Sequence, residues 1–341
     1  MNQLLLKGLL QIKDNLTFSE IIEYYKQIMQ SIKLQLSDDP ELSGVCSALL
    51  QAFTENSRVL RHCSGGGNQT QTQNNFGDHQ LESDIQCEVN INRELQKSGF
   101  VSHSANEESP EMKQQCEGGR YIVTFDPLDG SSIIGTNFTV GTIAAIWKSD
   151  DSLLIGKSGR DIVSACCCLY GSRTTVIIYN QKEDKVQEYT LFDSDKQGHW
   201  ELTKGNIQIK QKGNIFSPGN LRSIINHEAY REVLEYYFHN GYTLRYTGGM
   251  APDICQIFLK EIGVFSLFGD AKNPCKLRYL YECAPLSFLI EKAGGKSFNG
   301  QSSVLDTVIS GYEQKSEIAV GSAEDIEFFR QVWKKHGLLK N

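Results

Sequence analysis

Phe125-Asp126-Pro127-Leu128-Asp129-Gly130-Ser131-Ser132 closes the β-rich run Tyr121 to Phe125. An Asp-x-x-Asp turn at a strand end can converge two carboxylates, and Gly-Ser-Ser opens the next segment with backbone amides and hydroxyls. A cation and a phosphate could share such a spot. A Pro-Gly surface turn with solvated acids has the same composition, so other acids must break the tie. Hard divalent cations want several oxygen ligands, and Mg²⁺ usually completes its octahedron with substrate phosphate. Asp78 and Asp84 flank the start of a helical pattern. Glu107 and Glu108 are adjacent, so they point in different directions and suit two roles. Glu282 follows Lys276-Leu277-Arg278, which places two phosphate-seeking cations beside a further acid. Taken singly, each acid reads as a solvated surface charge.

Outward from this motif, β-rich runs at Thr142 to Trp147, Ile162 to Tyr170, Thr174 to Tyr179 and Val186 to Phe192 could build one large sheet. Upstream, Thr17 and Glu20 form a capping box before apolar residues at helical spacing. Two more helical patterns run from about Val45 to His62 and from about Gln80 to Lys97. Between them, Ser64 to Asn75 holds only Ser, Gly, Asn, Gln and Thr and reads as a flexible loop. Past a soft boundary near residue 200, helices at His227 to His239 and Ala284 to Ala293 mix with short strands such as Val264 to Phe268. The expected division is 1–200, with the large sheet and the Phe125–Ser132 motif, and 201–341, a second α/β region.

The 341 residues carry 34 Lys+Arg against 41 Asp+Glu, a net charge of −7, and 40% of them are hydrophobic. The acidic balance argues against a general nucleic-acid or anionic-membrane binder, since counterion release needs clustered cations. Apolar runs such as Ile162 to Tyr170 fall well short of the ~20 residues a membrane helix needs. With neither a secretory nor a transit signature at the N-terminus, a cytoplasmic location is expected. Ten cysteines include consecutive Cys166, Cys167 and Cys168 and no zinc spacing, so reduced, mostly core-filling thiols are expected.

FDPLDGSS at 125–132, with FGD at 76–78, the Asn106-Glu107-Glu108 loop, KLRYLYE at 276–282 and EKAGG at 291–295, resembles the signature of the metal-dependent, lithium-sensitive sugar phosphatases, specifically the fructose-1,6-bisphosphatase and sedoheptulose-1,7-bisphosphatase group. These motifs keep the order and approximate spacing of that family from about residue 76 onward. FSPGNLR at 216–222, LRYTGGMAPD at 244–253, ECAPL at 282–286 and Ile133 resemble the sedoheptulose-bisphosphatase forms.

The resemblance implies an αβαβα five-layer α/β fold with the active site at the junction of the two regions, the second of which binds the sugar phosphate. It implies Mg²⁺-dependent hydrolysis of the 1-phosphate of sedoheptulose 1,7-bisphosphate, with fructose 1,6-bisphosphate or both substrates as the alternative. By the same resemblance Asp78, Glu107, Asp126, Asp129 and Glu282, with the Leu128 carbonyl, hold two or three Mg²⁺, for which Mn²⁺ can substitute. Glu108 and Asp84 would position and deprotonate a water. Asp129, Gly130, Ser131, Ser132 and Arg278 would hold the scissile phosphate, and Asn220, Arg245, Tyr246, Gly249, Met250 and Lys276 the rest of the sugar bisphosphate. Arg245 is usually lent by a neighbouring subunit in the family, which implies a homodimer or homotetramer. Physical chemistry agrees that so many carboxylates in one pocket repel unless cations neutralise them. A non-catalytic sugar-phosphate sensor would be expected to lack a ligand or water activator, and all are present. The plastid forms' redox pair has no second cysteine here between Cys63 and Cys87, so thiol switching at Cys63 is not expected.

Overall fold

Asp39 caps helix α1 (Pro40–Arg61), accepting hydrogen bonds from the Glu41 and Leu42 amides. Pro40 takes the first helical position, where a missing N–H costs nothing. The helix therefore begins ahead of the apolar periodicity that marks it from Val45. The computed structural model describes residues 35–62, 69–73, 79–193 and 198–339. The capping box at Thr17 and Glu20, Cys63 and Asp78 lie outside the described residues.

Helix α1 packs on α2 (Glu82–Ser98), and the pair covers one face of an eight-stranded sheet through β3, β5 and β7. That sheet runs in the order β10-β9-β8-β7-β6-β5-β3-β4, with β3 at Val101–Asn106, β4 at Lys113–Gln114, β5 at Tyr121–Asp129 and β6 at Val140–Lys148. Its remaining strands are β7 (Ile162–Tyr170), β8 (Thr174–Asn180), β9 (Lys185–Phe192) and β10 (His199–Lys204). Only β3 and β5 pair in parallel. Every residue of β5 is buried, as expected of a strand covered on both faces.

The second cover of β6 and β7 is a middle layer of α5 (Met250–Lys260) and α6 (Ala284–Lys292). Their far sides pack on a five-stranded sheet of order β12-β11-β13-β15-β14. Its strands are β11 (Ile215–Gly219), β12 (Thr243–Leu244), β13 (Val264–Leu267), β14 (Lys296–Phe298) and β15 (Ile318–Gly321). The outer layer is α4 (Glu228–His239) against α7 (Ala323–Lys335), over an aromatic core of Phe216, Tyr230, Tyr237, Phe268, Phe329 and Trp333. The layering is thus αβαβα, as the motifs imply. The short helix α3 (Ser131–Ile134) directly follows β5.

One expectation is corrected. Gln69–Gln73 (β1), read from composition as flexible loop, pairs antiparallel with His79–Leu81 (β2). A two-stranded ladder satisfies backbone groups without apolar side chains, so a polar composition does not forbid it. The rest of 64–75 lies outside the described residues.

Along β7, Cys167 points to α5 with its Sγ 3.4 Å from Cys255 Sγ, and its neighbours Cys166 and Cys168 occupy the opposite face of the pleat. No helix among the described residues is long and apolar enough to cross a membrane.

Candidate active site

Asp126 and Asp129 are three apart, so in a regular strand they would point to opposite faces. The structure resolves this with a bulge: Asp126 pairs with Ile143 and Asp129 with Gly141, so that Pro127 and Leu128 of β5 stand against Thr142 alone of β6. Pro127 sits inside the bulge, and its carbonyl accepts from Thr142 Oγ1 at 2.8 Å. Asp126 Oδ1 accepts the Leu128 amide at 2.9 Å, which fixes the first carboxylate. Gly130 leaves the strand in the left-handed region, φ 86°, and turns the chain into α3.

Glu282 reaches the same place from the second half of the chain. It lies in a π-helical turn, Tyr279–Cys283, that runs into α6, and its carboxylate accepts the Arg278 amide. One oxygen each from Asp126, Asp129 and Glu282 lies within 4.8 Å of the others, and all three residues are buried. Asp129 also accepts the Ala251 amide at 2.7 Å and the Met250 amide at 3.4 Å, from the first turn of α5. Gly141 makes this approach possible. A Cβ there would stand 2.8 Å from Ala251 Cβ and 2.7 Å from the Cys168 carbonyl oxygen.

Three acids so close cannot all ionise cheaply. Burial pushes the Asp126 carboxyl well above its ordinary range, and the charges of Asp129, Glu282 and Glu107 push it further. Glu282 moves the same way through burial, then Asp129 and Glu107. Asp129 rises less, to about 6, because the two α5 amides oppose its burial. Carboxylate oxygens held together against such repulsion are the donor set a hard divalent cation takes.

Among the described residues, no other His, Cys, Asp or Glu joins this cluster. Glu107, anchored by its amide to the Phe125 carbonyl at 3.1 Å, stands with Glu108 in the half-buried loop after β3. Its carboxylate lies 3.5 Å from Arg278 Nε, whose side chain is buried and donates from Nη1 to the Lys276 carbonyl. Asp84 is buried in the first turn of α2, the helix on β3 and β5, outside the triad. Ser131 and Ser132 open α3 beside Asp129, partly buried and exposed respectively. Asn220, Lys276, Leu267 and Leu277 line a cleft of about 410 Å³ that also contains Arg222 and Lys272. Asn220 Nδ2 is spent on the carbonyls of Phe268 (3.0 Å) and Asn273 (2.9 Å), so it ties β11 to the 268–273 loop. Arg245 and Tyr246 are exposed just after the edge strand β12, and Gly249 and Met250 are buried at the start of α5. Sequence reasoning gave no role to Arg222, although it closes the FSPGNLR stretch, or to Lys272, and it missed Gly141, which carries no signal of its own.

The profile of the fructose-1-6-bisphosphatase N-terminal domain matches residues 26–205, and that of its C-terminal domain residues 209–334. The chloroplastic sedoheptulose-1,7-bisphosphatase of Triticum aestivum is 42% identical over 275 residues, 80% of this chain and 68% of the relative. A class 1 fructose-1,6-bisphosphatase of Geotalea uraniireducens is 37% identical over 260 residues, 75% of this chain and 80% of the relative. The holo crystal structure of Leishmania major fructose-1,6-bisphosphatase superposes with a TM-score of 0.81 at 27% identity, covering 90% of this chain and 97% of that one. Fold, acid cluster and relatives together define a sugar bisphosphatase, a phosphoric monoester hydrolase. The chain belongs to the fructose-1,6-bisphosphatase family.

Proposed function

We propose that the protein removes the 1-phosphate of sedoheptulose 1,7-bisphosphate in a Mg²⁺-dependent hydrolysis, releasing sedoheptulose 7-phosphate and inorganic phosphate. The observation that carries the reaction type is the buried Asp126, Asp129, Glu282 triad, three acids drawn together from two halves of the chain. The sedoheptulose branch is supported by the 42% identity to the wheat enzyme against 37% to the bacterial fructose-1,6-bisphosphatase. Fructose 1,6-bisphosphate remains the second reading, because one extra hydroxymethylene is discriminated by only ~1 to 3 kcal/mol in most pockets.

The triad, with Glu107, Asp78 and the Leu128 carbonyl, would hold the cations. Bound there, Mg²⁺ would supply neutralising charge and Lewis acidity. Glu108 and Asp84 would orient the attacking water and take its proton. The Gly130-Ser131-Ser132 segment and the Asp129 edge hold the scissile phosphate, and Arg278 offsets charge on its equatorial oxygens. Lys276, Arg245 and Tyr246, with Arg222 and Lys272 in the adjoining cleft, hold the phosphate that stays attached. Asn220 shapes that cleft rather than donating its amide to the ligand. Exposed Leu244 and Tyr246 flank Arg245, which supports a homodimer or homotetramer in which this edge is covered. Phosphorus NMR of the reaction tests the regiochemistry: loss of the C1 phosphorus with the C7 phosphate intact is expected, and loss of the C7 phosphate first contradicts it.

A further inference from the structure

Asp253 is fully buried one turn into α5, and its carboxylate turns back toward the chain that enters the helix. Asp253 Oδ1 accepts the Thr247 amide at 2.9 Å, and Oδ2 lies 3.1 Å from the same amide and 3.3 Å from that of Gly248. At its other end the segment is held by the Arg245 amide, which donates to the Phe216 carbonyl of β11 at 2.9 Å. Between these two attachments the chain exposes Arg245 and Tyr246, and Gly248 takes φ 101°, open to glycine without strain. The segment also abuts the turn after Gly130-Ser131-Ser132: a Cβ on Gly248 would stand 3.3 Å from Ile133 Cγ2, and one on Gly249 3.2 Å from Ile133 Cδ1. Asp253 therefore stands behind the place where the two phosphate-handling stretches touch.

A buried carboxylate is costly, and its hydrogen-bond partners here are the backbone amides of Thr247 and Gly248 and the Thr247 side chain rather than a cation. An apolar side chain of similar volume would fill the same space at lower cost. What the carboxylate adds is a fixed path for the backbone of residues 247 and 248. We propose that Asp253 is a positioning residue for substrate, holding the Arg245–Gly248 segment in the shape that presents Arg245 and Tyr246 to the phosphate that is not cleaved. The proposal rests on the reading of those two side chains as the distal anchor.

A double-mutant cycle on the full chain tests it, with sedoheptulose 1,7-bisphosphate as the probe and both KM and kcat read. Asp253→Ala should raise KM about tenfold and change kcat less than about threefold, since ground-state anchoring is lost and the reacting groups are kept. Asp253→Asn keeps one acceptor oxygen and nearly the same volume; its KM should rise by about threefold, and it decides the matter if the alanine variant does not fold. On an Arg245→Ala background, Asp253→Ala should add less than about twofold to KM, because the two act through one contact. A kcat loss at unchanged KM, or the full Asp253 effect persisting without Arg245, overturns the positioning role. Arg245→Ala raising KM while both Asp253 variants leave it unchanged overturns this proposal alone. If Arg245→Ala and the Asp253 variants all leave KM unchanged, the distal-anchor reading falls with it.

Discussion

Asp129 Oδ2 accepts the Ala251 amide at 2.7 Å, and this bond ties the bulged strand of the eight-stranded sheet to the first turn of the helix that separates the two sheets. It partly offsets the cost of a buried carboxylate.

Asp126→Asn and Glu282→Gln should each leave less than about a tenth of the wild-type rate, a loss of at least ~1.4 kcal/mol in transition-state stabilisation. Each removes one negative donor from a set whose members lie within 4.8 Å. Phosphate release at saturating Mg²⁺ measures this, and a variant above a tenth of wild type contradicts the assignment of that residue to the metal.

Glu107→Gln and Glu108→Gln should differ in kind. The Glu107 variant should need more Mg²⁺ for half-maximal rate, whereas the Glu108 variant should lose kcat with KM nearly unchanged, because a base acts in the transition state. Mg²⁺ titrations of both activities separate the roles, and identical phenotypes merge them.

The acids also predict how metal and pH act on stability. In the metal-free protein Asp129 keeps its proton up to about pH 6, whereas in the unfolded chain it ionises near its usual value of 3.8. The folded state binds that proton more tightly, so the stability it contributes is complete below the unfolded value and disappears as pH rises through about 6. Asp126 and Glu282 are displaced in the same direction. Mg²⁺ takes over the proton's neutralising work, so its gain in Tm over chelated protein should be larger at pH 7.5 than at pH 5. Equal gains at the two pH values count against the triad as the metal site.

Lys276→Ala should mainly raise KM for the bisphosphate and spare a substrate that lacks the distal phosphate. The comparison of the two substrates isolates the effect. Equal damage to both would remove Lys276 from the distal anchor.

The acids of this site are legible in the sequence because the chemistry demands carboxylates and the motif crowds two of them beside Gly130, Ser131 and Ser132. Their convergence is not legible. Asp126 and Asp129 share a side of the strand only because β5 bulges opposite Ile143 and Gly141, a register known once β6 is paired. Glu282 lies more than 150 positions away and arrives through a π-helical turn that no periodicity announces. The five layers were legible by family likeness, whereas the pairing of Gln69–Gln73 with His79–Leu81 escaped a reading based on composition. Asp253 was visible only as one letter of a motif, since its partners are Thr247 and Gly248 of its own chain.

Steady-state phosphate release from sedoheptulose 1,7-bisphosphate and fructose 1,6-bisphosphate, side by side at equal Mg²⁺, decides between the two substrates. Turnover should vanish on chelation, and kcat/KM should be higher for the seven-carbon substrate. A preference for the six-carbon substrate of about a thousandfold, ~4 kcal/mol in transition-state discrimination, would contradict the sedoheptulose assignment, and undiminished release in excess chelator would contradict the metal-dependent hydrolysis itself.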